Sequence, residues 1–235
     1  MVELKHRNIL LDVGDTLVRI NQPFEVYTLK AIKFLAQDLV NQRNEDIESL
    51  VNQLFIIRNE IRAKAHESLR EYHFNEYLEE IESQLNVQFT KPYLELETQY
   101  VQAELAITKR IEGVLEMLKA AKNEGKRLII STNNFSPQHV KLLLQKFEIE
   151  AFIDEVYISA EMKIRKPSIK FIDSICNELD LNKKETIILG DKPHMDILAA
   201  INAGIDSCWY NPKGAVQTDY PATFEVKNLS QLKFI

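Results

Sequence analysis

Between residues 111 and 210 the chain repeats one unit: a helical pattern, then a short apolar run that ends in polar residues. Helical spacing over 111–123 stops at Gly125, a residue suited to the left-handed turn that closes a helix. A strand is predicted over 127–131, a helix over 137–147, a strand over 155–159 and a helix from Pro167 to about residue 179. A strand over 186–189, a helix over 195–203 stopped by Gly204 and a strand over 207–210 complete the series. Strands joined by helices at this spacing pair in parallel through right-handed crossovers, so the series demands a doubly wound α/β sheet. Near the start, Asn8-Ile9-Leu10-Leu11 supplies one more strand, apolar without alternation, as expected where helices cover both faces. It delivers Asp12 to the carboxyl end of that strand, the edge of an open sheet where ligands bind. Asp12-Val13-Gly14-Asp15-Thr16 suits a turn or a helix cap equally well, so the stretch alone does not decide between the two uses.

Residues 21–106 break the alternation. Pro23 opens a helix on which Phe24, Tyr27, Ala31, Ile32, Leu35 and Leu39 share a face, and Ile47, Leu50, Val51, Leu54, Ile57 and Ile61 mark a second. Leu69, Tyr72, Leu78, Ile81 and Leu85 predict a third helix, and residues 93–105 a fourth. A run of amphipathic helices with no strand between them cannot interleave with a parallel sheet. The expected organisation is therefore a core of residues 1–20 and 107–235, with a helical module of residues 21–106 inserted after the first strand.

Composition narrows the possible functions. A chain of 235 residues holds one domain with a large insertion or two modest domains. No apolar stretch approaches the roughly 20 residues that span a bilayer. The opening MVELKHRNILLDV has too short an apolar run, and no small-residue cleavage site, for a signal peptide, so a cytoplasmic protein is expected. The net charge of −6, without a Lys/Arg block, argues against nucleic acid as a partner. Cys176 and Cys208 lack metal-ligand spacing and are expected as buried thiols.

Polar residues recur at the predicted strand ends: Thr132-Asn133, Lys166-Pro167 and Gly190-Asp191, with Asp196 five residues on. Each has an ordinary structural use, as a helix cap, a loop cation or a turn. Their arrival in order at one sheet edge is harder to dismiss. The set DVGDT (Asp12 to Thr16), STNN (Ser131 to Asn134), RKP (Arg165 to Pro167) and GDKPHMD (Gly190 to Asp196) resembles the four motifs of the haloacid dehalogenase-like hydrolase superfamily, in the branch with a helical cap inserted after the first motif. The likeness covers nearly the whole chain. It implies a Rossmann-like α/β core with an α-helical cap, and a magnesium-dependent hydrolase of small phosphorylated metabolites.

By that resemblance Asp12 attacks phosphorus and forms an aspartyl phosphate, dividing one difficult displacement into two. Magnesium would be held by Asp12, the main-chain carbonyl of Gly14 and Asp191, offsetting the repulsion between carboxylate and phosphate. Thr132 and Asn133 would contact the substrate. Lys166 would neutralise charge on nucleophile and phosphate, and Asp196 would orient Lys166 or hold a water beside the metal.

Gly14 departs from the pattern. Phosphatases of this superfamily carry a second aspartate there, which protonates the leaving group and then activates water. Losing such a group typically costs about 10²- to 10⁴-fold in rate. Four readings follow: a substrate with a good leaving group; a substitute acid, with Asp15 and His194 as candidates; a phosphonate or haloacid hydrolase, since both also lack that aspartate, the former needing a cap lysine such as Lys30 or Lys33 and the latter least favoured because it works without metal whereas the fourth motif looks built for magnesium; or a catalytically weak binding or regulatory protein. Arg58, Arg62, His66 and Arg70 recur every four residues and form one basic stripe if the second cap helix continues through Ser68. That stripe is either a solvated face or a set of cations, Arg62 among them, that selects an anionic substrate tail. Lys192 stands where the superfamily has a small residue, and the sequence offers no account of it. Oligomeric state is not legible.

Overall fold

The computed structural model describes residues 1–43, 45–216 and 219–235. In chain order the strands are β1 (Val2–Leu4), β2 (Asn8–Leu11), β3 (Val18–Ile20), β4 (Thr108–Arg110), β5 (Arg127–Thr132), β6 (Glu155–Ile158), β7 (Thr186–Gly190), β8 (Asp206–Tyr210), β9 (Phe224–Val226) and β10 (Leu232–Phe234). The α-helices are α1 (Phe24–Leu39), α2 (Ile47–Ser68), α3 (Phe74–Leu85), α4 (Tyr93–Ile107), α5 (Val114–Asn123), α6 (Pro137–Lys146), α7 (Ser159–Met162), α8 (Ile169–Glu178) and α9 (Leu198–Ala203). A π-helical turn, Pro193–Ile197, leads into α9.

Among the described residues the main sheet has six parallel strands in the order β6-β5-β2-β7-β8-β9. The chain steps outward from β2 to β5 and β6, then crosses back to β7 on the other side of β2. Strand order therefore reverses at β2, and the carboxyl ends of β5, β2 and β7 meet at the switch point. The uniform apolarity of β2 has a direct cause. Ile9 and Leu11 enter one apolar cluster with Ile130 and Leu189, whereas Leu10 joins Ile129 and Ile188 under Phe171, Ile172 and Ile175 of α8. Both faces are dry, and each buried aliphatic side chain contributes about 1.5–3 kcal/mol.

The helices α1 to α4 leave and re-enter the core through a two-stranded antiparallel ribbon in which Val18 pairs with Arg110 and Ile20 with Thr108. Their packed faces hold the residues whose spacing predicted them, including Ala31, Leu35, Leu54 and Ile57. Phe135, from the loop after β5, inserts among them, with its ring centroid 5.4 Å from Phe74 and 5.8 Å from Tyr100. The helices and the sheet edge thus share one apolar cluster.

Three boundaries differ from expectation for local reasons. The third helix starts at Phe74, because Leu69 takes a left-handed φ of 56° that closes α2, and His73 caps α3 through the Asn75 N–H. The helix expected from residue 111 starts at Val114, after Gly113 at φ 82°. The 195–203 helix is preceded by the π turn, which carries Asp196. Cys176 and Cys208 are buried and free, as expected. No helix of the described residues is long and apolar enough to cross a membrane.

Candidate active site

Asp12 follows β2 directly, and its N–H donates to the Leu189 carbonyl at 3.0 Å, extending the ladder one residue beyond the strand. Its carboxylate, 7% exposed, is addressed from three sides. Thr132, at the end of β5, donates to Oδ1 at 3.2 Å, Thr16 donates to Oδ2 at 3.5 Å, and Lys166 Nζ donates to Oδ1 at 2.8 Å. The turn after Asp12 closes on the Val13 carbonyl, which accepts from Leu17 and Val18 at 2.9 and 3.1 Å. Asp15 occupies that turn at φ 59°, a conformation that aspartate tolerates better than most residues.

Lys166 is the hub. Its side chain is 1% exposed, and its ammonium donates to Asp12, to Asp196 Oδ1 at 2.5 Å and to the Ser131 carbonyl at 2.7 Å, using all three protons. Burial works to lower its pKa, but the Asp12 and Asp196 carboxylates overcome this and hold it above the usual lysine range. The loop carrying Lys166 is clamped by Asn133, whose amide donates to the Lys166 carbonyl and accepts the Lys166 N–H, each at 2.9 Å. Asp196 is fixed at its other oxygen by the Lys192 N–H at 3.0 Å. A methyl group on Gly190 would collide with the Asp196 carboxylate, so this strand end requires glycine.

Asp191 completes the edge. Its main-chain carbonyl accepts from the Trp209 indole at 2.9 Å, while Oδ1 is buried with no hydrogen-bond partner among the described residues. Lys192 Nζ lies 3.6 Å from that oxygen, beyond hydrogen-bond distance, and 3.9 Å from Asp15. Burial raises the Asp191 pKa to about 8 against the opposing pull of Lys192, with Asp12 and Asp196 adding to the rise.

Asp12, Asp191 and Asp196 each bring a carboxylate oxygen within 4.8 Å of the others. Both Asp196 oxygens are engaged at short range, by Lys166 and the Lys192 N–H, whereas among the described residues Asp12 Oδ2 meets only the long Thr16 contact and Asp191 Oδ1 no hydrogen bond, so Asp12 and Asp191 are the carboxylates with capacity to spare. The orphaned Asp191 oxygen and this hard, all-oxygen donor set fit a small divalent cation such as magnesium. Gly14 lines the adjoining cavity; an added Cβ there meets nothing within 4 Å, and its backbone is outside the left-handed region. Neither packing nor backbone geometry requires glycine at this position.

The cavity, of about 430 Å³, lies between α1, α2 and α4 on one side and the carboxyl edge of the sheet on the other. Thr132, Asn133 and Gly14 line one part of it, and Phe24, Tyr27, Arg58, Arg62, Glu104 and Phe135 line another. The basic stripe divides here. Arg58 and Arg62 face the cavity, but Arg70 lies past the end of α2, bonded to Glu76 and set over the Tyr72 ring. Asp15 lines the cavity, whereas His194 is exposed and does not. Lys30 and Lys33 also lie outside it, Lys33 being paired with Glu48 at 2.6 Å. The cavity also holds residues that sequence reasoning missed. Arg165 comes from the third motif, Glu71 from the loop before α3, Glu104 from α4 and His139 from α6. Only the lysine of the third motif was read for chemistry, and the other three are ordinary polar residues, one in a loop and two on helices, with no motif to mark them.

Residues 93–210 match the haloacid dehalogenase-like hydrolase family. The chain belongs to that family, and the matched segment takes in the strands from β5 to β8. Over 137 residues the chain is 30% identical to the pyrimidine 5'-nucleotidase YjjG of Escherichia coli, a match taking in 57% of this chain and 60% of that protein. It is 25% identical over 203 residues to the glyceraldehyde 3-phosphate phosphatase of Pyrococcus furiosus, covering 86% of this chain and 79% of the relative. Among solved structures, a phosphatase of the family from Thermococcus onnurineus superposes with a TM-score of 0.69 at 16% identity, covering 96% and 95% of the two chains. The magnesium-bound Bacillus subtilis hydrolase YfnB gives 0.62 at 19% identity, covering 97% and 96%. At such identities the structural likeness speaks for the fold.

Proposed function

We propose that this protein is a magnesium-dependent phosphatase of small phosphorylated metabolites, with Asp12 as nucleophile and the helices of residues 21–106 as a cap over the site. The observation that carries the reading is the buried Lys166 ammonium, which ties Asp12, Asp196 and the Ser131 carbonyl into one rigid set beside the Thr132 hydroxyl. Such a set holds a carboxylate in fixed orientation and supplies positive charge where a phosphoryl group would arrive. That relatives named as phosphatases and nucleotidases share the family lends support.

In this reading Asp12 attacks phosphorus in line, forming an aspartyl phosphate and releasing the alcohol or acid. Thr132 turns its hydroxyl from Asp12 to a phosphoryl oxygen, and the Lys166 ammonium, its protons engaged by Asp12, Asp196 and Ser131, neutralises charge on nucleophile and phosphate, with Asn133 fixing the Lys166 loop. Asp196 positions Lys166. Magnesium, held by Asp12, Asp191 and the Gly14 carbonyl, would supply charge neutralisation and orientation of the phosphoryl oxygens. Water then opens the aspartyl phosphate. With Gly14 in place of an acid, the leaving oxygen departs without a proton from that position, which favours acyl and phenolic phosphates over alkyl ones. The open space around Gly14 keeps a second reading in view, a weakly catalytic binding protein on the same fold.

The test is hydrolysis of acetyl phosphate and p-nitrophenyl phosphate against a panel of sugar and nucleoside monophosphates, with magnesium, with EDTA, and with Asp12→Asn. Turnover that requires both the metal and Asp12, and favours the first two substrates, is the expected result. Absence of metal-dependent turnover on every substrate would transfer the assignment to the binding protein.

A further inference from the structure

The cations of the cavity are not equally satisfied. Arg58 donates to the Tyr100 hydroxyl at 2.9 Å and experiences the attraction of Glu104, and Lys192 faces Asp15 and Asp191. Arg165 is different. Its side chain is 7% exposed and lines the cavity, yet among the described residues only one of its five guanidinium N–H donors has an acceptor, Glu71 Oε1, at a long 3.5 Å. Nε is buried with no partner among the described residues. Glu71 is also drawn elsewhere: Oε1 accepts the Tyr72 N–H at 3.3 Å and Oε2 accepts from Ser159 at 2.9 Å. The Arg165 backbone is anchored in turn: its N–H donates to the Leu69 carbonyl at the end of α2, at 3.1 Å.

Arg62 stands on the α2 side of the same cavity. Among the described residues it has no carboxylate or hydrogen-bond partner, and its guanidinium rests 4.4 Å from the centroid of Phe24. Two of the cavity's rings are themselves covered by a guanidinium group: Arg58 lies 4.9 Å from the Phe24 centroid and 4.8 Å from that of Phe135. Burial and then the charges of Arg58 and Arg165 depress the Arg62 pKa, and burial followed by Arg165 and Arg62 does the same to His66. The cap end of the cavity thus carries positive charge that the protein itself does not neutralise.

We infer that the substrate carries, besides the phosphoryl group that is cleaved, a second anionic group, a carboxylate or a second phosphate, received by Arg165 with Arg62 across the cavity. This rests on the phosphatase reading and narrows it, excluding neutral-tailed monoesters as preferred substrates. An under-satisfied, nearly buried guanidinium gains from a bidentate anion what Glu71 does not give it.

Binding can be separated from turnover by titrating Asp12→Asn protein, in magnesium, with ethyl phosphate, phosphoglycolate and ethylene glycol bisphosphate. The two doubly functional ligands should bind at least about tenfold more tightly than ethyl phosphate, the gain expected for charge-assisted hydrogen bonds. Whichever of them binds tighter identifies the second anion. Adding Arg62→Gln should shrink that ratio severalfold and Arg62→Lys should restore part of it, while Arg165→Gln, provided it melts as a folded protein, should abolish it. Equal affinity for all three ligands, or a ratio untouched by Arg62→Gln, overturns the inference and leaves the phosphatase reading to its own turnover assay. If no phosphorylated ligand binds, both fall.

Discussion

Replacing Lys166 by methionine tests the centre of the site through stability rather than activity. The side chain is fully enclosed, and methionine fills most of the same volume, so the loss is that of the ammonium and its three hydrogen bonds. What remains is two buried carboxylates without their counter-ion, Asp12 keeping only the Thr132 and Thr16 hydroxyls and Asp196 only the Lys192 N–H, and a Ser131 carbonyl without its ammonium donor. Removing one partner of a buried ion pair costs about 3–5 kcal/mol, against about 0–1 kcal/mol for an exposed pair. In a chain of this size that corresponds to a melting point lower by roughly 6–20 °C. The measurement is urea unfolding of metal-free protein at neutral pH, in a cycle with Asp196→Asn and the double variant. Asp196→Asn removes the surplus negative charge while one acceptor remains for the Lys192 N–H, so the double variant should recover a substantial part of the Lys166→Met loss. A loss within the range of an exposed pair, or strict additivity in the cycle, would refute the description of Lys166 as a buried ionic hub.

Three further outcomes are expected. Gly190→Ala forces a methyl group against the Asp196 carboxylate and should cost about 1–3 kcal/mol, the usual penalty of overpacking, together with most of the turnover; a stable, fully active variant would contradict the packing. In metal-free protein Asp191 holds a proton up to about pH 8 that the unfolded chain releases near 3.8. The native state therefore binds more protons than the unfolded state between those values, and stability falls as pH rises through that window. Magnesium competes with that proton, so its stabilising effect in a thermal melt should grow from pH 6 to pH 8; a pH-independent effect would mean that Asp191 is not a ligand. Gly14→Asp adds a side chain where nothing lies within 4 Å of the new Cβ, so it should fold normally and raise turnover of alkyl phosphates by about 10²- to 10⁴-fold; unchanged rates would show that proton transfer is not what limits the protein.

Most of the main sheet was legible because its cause is local. Strands such as Ile9-Leu10-Leu11 are apolar on both faces only when helices cover both, and Gly125 and Gly204 mark helix ends by their own backbone freedom. The residues at the strand ends converge for the same reason: parallel strands of one sheet present their carboxyl ends to one edge. What escaped was set by contacts distant in sequence. The ribbon of Val18–Ile20 and Thr108–Arg110 is too short to show a period, and it pairs segments separated by all four inserted helices. The strands Val2–Leu4 and Leu232–Phe234 pair the two ends of the chain and carry no local signal of their partnership. Lys192 and Arg165 acquire meaning only beside Asp15, Asp191 and Glu71, which the fold brings to them.

Gly14 and the arginines bear on one question, how a leaving group departs without a proton. An oxygen leaving as an anion needs positive charge nearby in the transition state, and groups fixed in a water-poor cavity supply it without reorganising. Lys192, held between Asp15 and Asp191 and lining the cavity beside Gly14, is placed to provide such charge, and its own pKa is raised by those carboxylates despite burial, so it remains an ammonium. A fixed cation offsets part of the missing proton for any leaving oxygen, but a carboxylate or phenolate, already stable as an anion in water, needs that help least and so departs most readily from a site without an acid. On the proposed phosphatase reading, glycine at position 14 favours a leaving group that departs as a stable anion, and the surplus of positive charge in the cavity favours a substrate with an anionic organic part. Together they favour a substrate whose organic part is anionic, or becomes so as the phosphoryl group is lost.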